Sequence, residues 1–349
     1  MEPDKVVVYI FLFLALYFEV LMLVSFLRRR QQALQVRDDF DPATAPTVAI
    51  IVPCWNEEQT VAITIHSLLA LDYPHDKIEI IVVDDGSTDG TLAAAQAFAH
   101  DPRVRIFSKE NGGKHSAMNF ALAKTHAEFI GCLDADSAVA SDALKRMIPG
   151  FNDPRVAAVT PGIHVRAPQT IVQYMQEAEY RLGIFNRFML AVLGATFVTP
   201  GPFSILRTSV VRELGGWRYA HSVEDMEMAL RLQEAGYLIA NTPTATILTS
   251  SPRTVYRLYR QRVRWTYGFL HNAIDYRHMY GSLKYGNLGI IVLPIATLSI
   301  MSAIYFFLRL IIQSGGIRRP VAIYVPVEIS TTTKTTANTT GKVSTLVLK

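Results

Sequence analysis

Paired carboxylates are the first residues of this sequence whose spacing suggests chemistry. Asp84-Asp85 stands in VVDDGST and Asp134 with Asp136 in LDAD, each after a short apolar stretch. Two carboxylates this close repel one another unless a cation lies between them, and hard oxygen ligands suit Mg²⁺ or Mn²⁺. Such a metal would in turn neutralise a bound diphosphate. Asn111-Gly112-Gly113-Lys114 adds a turn whose glycines let the backbone approach a ligand, with Lys114 at a helix start, where phosphate is favoured. Val223-Glu224-Asp225-Met226 opens another helical stretch, Asp225 to Ala235. Acidic residues there often only balance the helix dipole. A carboxylate in that place is also positioned to act as general base for a hydroxyl nucleophile. Capping accounts for part of the acidic pattern, since Ser87, Thr88 and Asp89 precede a helix and Asp142 follows Ser141 in the same manner. It does not explain carboxylates paired at strand ends.

These groups need a scaffold, and the hydrophobic pattern supplies one. Short β-branched runs over Thr47–Val52, Ile78–Val83, Val104–Phe107 and Phe129–Leu133 alternate with amphipathic stretches over Gln59–Leu71, Thr88–Ala99 and Lys114–Thr125. Strand and helix in alternation predict a parallel sheet with crossover helices, and nearly continuous apolar strands predict cover on both faces. Ligands bind beyond the carboxyl ends of such strands. There stand Pro53-Cys54-Trp55-Asn56-Glu57, Asp84-Asp85-Gly86-Ser87 and Asp134-Ala135-Asp136. No GxGxxG follows the first strand, which counts against a dinucleotide-binding domain. Cys54 and Cys132 lie inside apolar strand-like stretches and read as small core residues.

Composition places the scaffold at a membrane. Of 349 residues half are apolar and only 18% charged, with 34 Lys+Arg against 30 Asp+Glu and two cysteines. Disorder throughout, collagen and a disulfide scaffold are excluded, and a net charge of +4 does not point to nucleic acid. Val6–Leu27 carries a single charge, Glu19, and is long enough to cross the roughly 30 Å hydrocarbon layer. Arg28, Arg29 and Arg30 follow it and predict that everything downstream lies in the cytoplasm. Glu19, costly in lipid, is expected to face a partner helix. Leu288–Leu308, interrupted only by Pro294, is a second span. The basic, aromatic stretch Arg253–Arg277, which contains Gln261-Arg262-Val263-Arg264-Trp265, suits an amphipathic helix in the membrane interface. After Arg319 the chain turns threonine-rich and reads as disordered.

Taken in order, PCWNEE, VVDDGSTDGT, NGGK, LDAD, VED and QRVRW resemble the membrane-embedded family 2 glycosyltransferases, the group of cellulose, chitin, hyaluronan and poly-N-acetylglucosamine synthases. The similarity runs from about Pro46 to Gly281. It implies an α/β GT-A fold, a Rossmann-like, mostly parallel sheet with helices on both faces, flanked by N- and C-terminal transmembrane helices. It also implies an inverting, metal-dependent transfer from a nucleotide-activated sugar. By resemblance Glu57 and Asp85 hold the uridine end of the donor, and Asp134 and Asp136 form the DxD pair for metal and diphosphate. Asp225 is the general base, with Val223 where the family's TED motif has threonine. Gln261, Arg264 and Trp265 form QxxRW, Arg264 steadying the diphosphate with help from Lys114, and Trp265 lining the acceptor path. Gly201, in Thr199–Phe203, matches the acceptor-contacting loop loosely.

The implied organisation is an N-terminal span and basic flank over 1–30, a linker over 31–46, a catalytic domain over 47–250, an interfacial segment over 251–286, a span over 287–312 and a tail over 313–349. It describes a multi-pass protein of the cell (inner) membrane that takes a UDP-sugar, with N-acetylglucosamine the first choice, and a saccharide or lipid acceptor. The competing readings are transfer of one sugar to a lipid or short acceptor, and a catalytically silent membrane subunit. Two spans cannot enclose a polymer channel, so secretion would need an oligomer, a membrane partner or a longer chain. Because the tail matches nothing in the preceding pattern, the native reading frame or gene is expected to be interrupted near Gly315.

Overall fold

The computed structural model describes residues 3–34 and 40–315. The predicted threonine-rich tail lies outside the described residues except for 313–315, which end a helix. By internal contacts the chain divides into Met1–Ala303 and Ile304–Lys349.

The elements, in chain order, are α1 (Pro3–Leu34), β1 (Val48–Cys54), α2 (Val61–Leu69), β2 (Ile78–Asp85), α3 (Thr91–Gln96), β3 (Val104–Lys109), α4 (Lys114–Leu122), β4 (Phe129–Cys132) and β5 (Ser137–Val139), followed by α5 (Ala143–Met147), β6 (Val156–Val165), α6 (Ile171–Val192), β7 (Ser204–Arg207), α7 (Thr208–Glu213), α8 (Glu224–Glu234), β8 (Leu238–Thr249), α9 (Val255–Asp275) and α10 (Leu293–Gly315). One eight-stranded sheet runs in the order β3-β2-β1-β4-β7-β6-β8-β5. Its first four strands are parallel, in the predicted places. Beyond them β7 pairs antiparallel with both β4 and β6, β8 runs parallel to β6, and β5 closes the edge antiparallel. The sheet is therefore mixed, and its parallel half carries the acidic loops.

The period-two alternation of a strand explains how each apolar run fills two cores. Val48, Ile50, Val52 and Cys54 of β1 join one cluster with Val61, Ile65 and Leu68 of α2. Ala49 and Ile51 face the other way, against Ala117, Met118 and Ala121 of α4 and Met228 and Leu232 of α8. Both cysteines are buried free thiols, Cys54 pushed up to about 12 chiefly by burial and Cys132 raised by the same cause. A third cluster, Val223, Met226, Leu230, Phe269, Met279, Leu288, Val292 and Leu293, ties α8 and α9 to the start of the second apolar helix.

Among the described residues two helices are long and apolar enough to cross a membrane, Val6–Arg28 and Leu288–Ile312. In the second, a wide π-type turn at Leu288–Val292 precedes α10, so Pro294 falls in the first turn of that helix, where a missing N–H costs nothing. The first packs on α6, where the rings of Phe26 and Phe185 meet edge to face at 5.2 Å. α6 itself starts with a capping box, Thr170 Oγ1 accepting from Gln173 N and Gln173 Oε1 accepting from Thr170 N, both at 3.3 Å.

Candidate active site

Loops at the carboxyl ends of β1 and β2 are stitched together. Asn56, at φ 57°, occupies the left-handed conformation that asparagine tolerates. Its N–H donates to Ser87 Oγ at 3.0 Å and its amide oxygen accepts from Thr88 N at 2.9 Å. Glu57 follows, its N–H donating to Thr91 Oγ1 at 2.7 Å and its carboxylate accepting from Thr60 Oγ1 at 2.5 Å. Asp89 accepts from Thr91 N at 3.0 Å, but the N-cap position of α3 falls on Gly90 and no side chain caps the helix, so the predicted cap is not formed. Asp142 likewise departs from its prediction. It makes no cap hydrogen bond, because Arg146 one turn later offers a charged partner at 2.6 Å.

Asp85 is buried and fully engaged. Its carboxylate accepts from Lys109 Nζ at 2.6 Å, Gly112 N at 3.1 Å and Gly113 N at 2.7 Å. That carboxylate shapes the NGGK turn, and the φ of 84° at Gly113 presents the N–H it needs. The turn delivers Lys114 to the start of α4, where Nζ reaches Asp134 Oδ1 at 2.5 Å and Glu224 Oε1 at 3.4 Å. Burial opposes the charge on Lys114, but the carboxylates of Asp134 and Glu224 outweigh it and hold the amine well above the ordinary lysine range.

Two cavities open on this floor and meet. One, of about 640 Å³, is lined by Pro53, Cys54, Trp55, Glu57, Asp85, Asn111 and Gly113. The other, of about 620 Å³, lies beneath α6 and α9 and is lined among others by Tyr180, Gly201, Asp225, Gln261 and Trp265. Lys114, Asp134, Asp136 and Arg264 line both. Glu57, Asp85, Lys114, Asp134, Asp136, Gly201, Asp225, Gln261, Arg264 and Trp265 thus each border one cavity or the other, Lys114, Asp134, Asp136 and Arg264 at the junction, whereas Asp84 lines neither. A Cβ at Gly201 would lie 2.7 Å from Lys114 Nζ and 3.2 Å from Asp134 Oδ2, so a side chain there would displace the lysine amine from the junction. In α9, Arg262 stacks over Trp265 at 4.5 Å and pairs with Glu179 of α6 at 2.6 Å, closing the second cavity.

Asp225 stands in the first turn of α8. The backbone carbonyl of Asp225 accepts from Thr199 N at 3.1 Å and Thr199 Oγ1 at 2.8 Å, which joins α8 to the loop that carries Gly201. Burial, then the neighbouring Glu224, pushes its carboxyl up to about 6. Sequence reasoning passed over Glu224 itself, although it lines the same cavity and reaches Lys114. The adjacent acidic pair in VED was the available signal. It also passed over Arg187, whose place on α6 became visible only in three dimensions.

A metal can be tested against the donors present. Among the described residues no three or more His, Cys, Asp or Glu side chains converge. Asp134 and Asp136 alone converge on the junction, and burial together with Asp134 raises the Asp136 carboxyl to about 6. Two crowded carboxylates suit a hard divalent cation that completes its shell with a diphosphate and water, the usual habit of Mg²⁺.

A mixed sheet with helices on both faces, acidic groups at the carboxyl edge of its parallel half and a second cavity joined to the first is an α/β domain of the GT-A type. Residues 49–215 match the family described as Glycosyl transferase family 2, and the chain carries a domain of that family. Poly-beta-1,6-N-acetyl-D-glucosamine synthase of Staphylococcus aureus (strain COL) is 31% identical over 247 residues, 70% of this chain and 59% of that protein. The synthase of the same name from Staphylococcus epidermidis is 29% identical over 262 residues, 74% of this chain and 62% of that protein. The chain therefore spans about three fifths of the length of these relatives. Among solved structures, a mannosyltransferase from Pyrobaculum calidifontis in complex with GDP-Man and Mn²⁺ matches the fold with a TM-score of 0.61 at 23% identity, covering 85% of this chain and 86% of that one.

Proposed function

We propose that this protein is an inverting glycosyltransferase that moves a sugar from a UDP-sugar to a growing saccharide at the cytoplasmic face of the membrane. The observation that carries this reading is the junction of two cavities at Lys114, Asp134, Asp136 and Arg264, with Asp225 bordering one cavity and Glu57 and Asp85 the other. The donor lies in the cavity of Glu57 and Asp85, its diphosphate at the junction and its sugar in reach of Asp225. The acceptor lies under α9, against Gln261, Trp265 and Gly201. A sugar hydroxyl is a poor nucleophile, so Asp225 accepts its proton as the oxygen attacks the anomeric carbon. The new carbon–oxygen bond forms as the bond to the diphosphate breaks, and the electron pair leaves with UDP. Arg264 and Lys114 meet the charge that develops there. A divalent cation on Asp134 and Asp136, Mg²⁺ or Mn²⁺, would supply further charge stabilisation when bound.

N-acetylglucosamine is the first donor sugar to try, supported by the poly-N-acetylglucosamine synthases among the relatives. In this reading residues 47–250 form the catalytic domain, 251–286 an interfacial segment and the two apolar helices its anchors. Transfer of one sugar to a lipid or short acceptor is the second reading, favoured by an apolar cavity between α1 and α10 that borders the acceptor cavity at Phe197. Product length separates them. Membranes carrying the protein, incubated with UDP-N-acetylglucosamine and Mg²⁺, are expected to yield a ladder of N-acetylhexosamine additions by mass. A single addition supports the second reading, and no addition with any UDP-sugar contradicts both.

A further inference from the structure

We propose that Arg187 receives the phosphate of a membrane lipid that carries the acceptor, with the lipid's apolar chain in the cavity between α1 and α10. The inference rests on the transferase reading above and names the class of acceptor that its second cavity takes.

Arg187 lies on α6 and lines the acceptor cavity with Asp225, Gln261 and Trp265. Its Nε and Nη2 atoms are buried without a hydrogen-bond partner, and among the described residues no carboxylate pairs with it. Arg262, which lines the same cavity, has Glu179, and Arg181, earlier on α6, has Glu177 at 2.7 Å. Burial lowers Arg187 to about 10, which leaves it charged at neutral pH. A buried, unpaired guanidinium is costly, and its planar fork matches a phosphate or carboxylate with two parallel hydrogen bonds. Gly183, one turn earlier, makes the room. A Cβ there would meet Arg187 Nη1 at 3.3 Å, although glycine in mid-helix weakens α6.

A lipid source is chosen over a soluble anion because of what adjoins the site. Phe197 lines both the acceptor cavity and a separate cavity of about 380 Å³. That second space is walled by the apolar helices, with Phe11, Leu14 and Phe18 on one side and Ile295 and Leu298 on the other. Glu19, Asn186, Ser299 and Ser302 are its polar groups. An amphiphile with its anionic head at Arg187 and its chain past Phe197 satisfies both environments at once.

Binding tests this without relying on turnover. Purified full-length protein in neutral detergent is titrated with a fluorescent short-chain polyprenyl phosphate and with the matching alcohol. The phosphate is expected to bind at least tenfold more tightly, and Arg187→Gln to remove that preference. Equal binding of phosphate and alcohol, or a preference that survives Arg187→Gln, overturns the proposal. So does displacement of the probe by inorganic phosphate or a soluble acidic oligosaccharide at comparable concentration, which would mark a free-anion site. If Arg187→Gln does not fold, Gly183→Leu replaces it, filling the space beside the guanidinium, and the preference is again expected to vanish. UDP binding and sugar transfer are measured separately. A protein that transfers no sugar yet keeps the Arg187-dependent preference defeats the transferase reading alone.

Discussion

In the proposed mechanism Asp225 is the residue on which the chemistry turns, and its surroundings set a pH dependence. Burial and Glu224 raise its carboxyl to about 6, and only the ionised form accepts a proton. Turnover is therefore expected to rise as pH passes through about 6 and to fall about tenfold per unit below it, in a pH–rate profile at saturating donor. A profile flat from pH 5 to 8 would exclude Asp225 as the base. The same shift fixes the sign of a stability effect. A carboxyl whose folded-state value lies above its unfolded value contributes stability that is present below the ordinary range near pH 4 and lost as pH rises through about 6. Denaturant melts of metal-free protein are expected to lose this contribution from Asp225 and Asp136 between those limits. Gly201 gives a steric prediction. Gly201→Ala pushes Lys114 and Asp134 apart and is expected to cut turnover about tenfold or more, since small misplacements near reacting groups are costly, while the melting temperature stays nearly unchanged. A large loss of stability would mean that the glycine serves folding rather than the junction.

At the scale of elements, the parallel half of the sheet was legible because its strands are continuous apolar runs followed by acidic loops. The mixed half was not. β7 and β5 are four and three residues long, too short to show a period, and their partners lie far away in sequence. The same limit applies to the site. DxD, NGGK and QxxRW each announce themselves as local patterns, whereas Arg187 and Glu179 lie on a helix whose sequence has no such signature and acquire meaning only from α9 opposite. Asp85 was legible as a position but not as a contact, because its three donors come from the end of β3 and the loop after it. Asp85→Asn should loosen that loop, raising the KM for donor several-fold with little change in kcat. Equal losses in both would instead place Asp85 at the reacting centre. The fold under the site is tested by Ile65→Ala. That side chain is fully buried between α2 and the sheet, and its truncation is expected to cost about 2–5 kcal/mol in denaturant unfolding.

At the scale of the whole molecule, two apolar helices bracket a domain whose second cavity lies beside them. The cluster of Val223, Met226, Phe269, Leu288 and Val292 makes α8, which carries Asp225, continuous with the base of the second helix. The base of the second apolar helix and the start of α8, with Asp225, thus belong to one packed unit. Removal of divalent cations is expected to abolish transfer, and Mg²⁺ or Mn²⁺ to restore it, because Asp134 and Asp136 otherwise face a diphosphate of the same sign. The central claim is that Asp225 activates an acceptor hydroxyl against a UDP-sugar bound at the junction of the two cavities. The measurement that tests it most directly is UDP release by purified protein given a panel of UDP-sugars, an acceptor-containing membrane and Mg²⁺, with Asp225→Asn alongside. The account predicts release with at least one donor and a fall of about a hundredfold or more in Asp225→Asn, with UDP binding retained. Undiminished release by that variant, or none from the wild type with any donor, would contradict it.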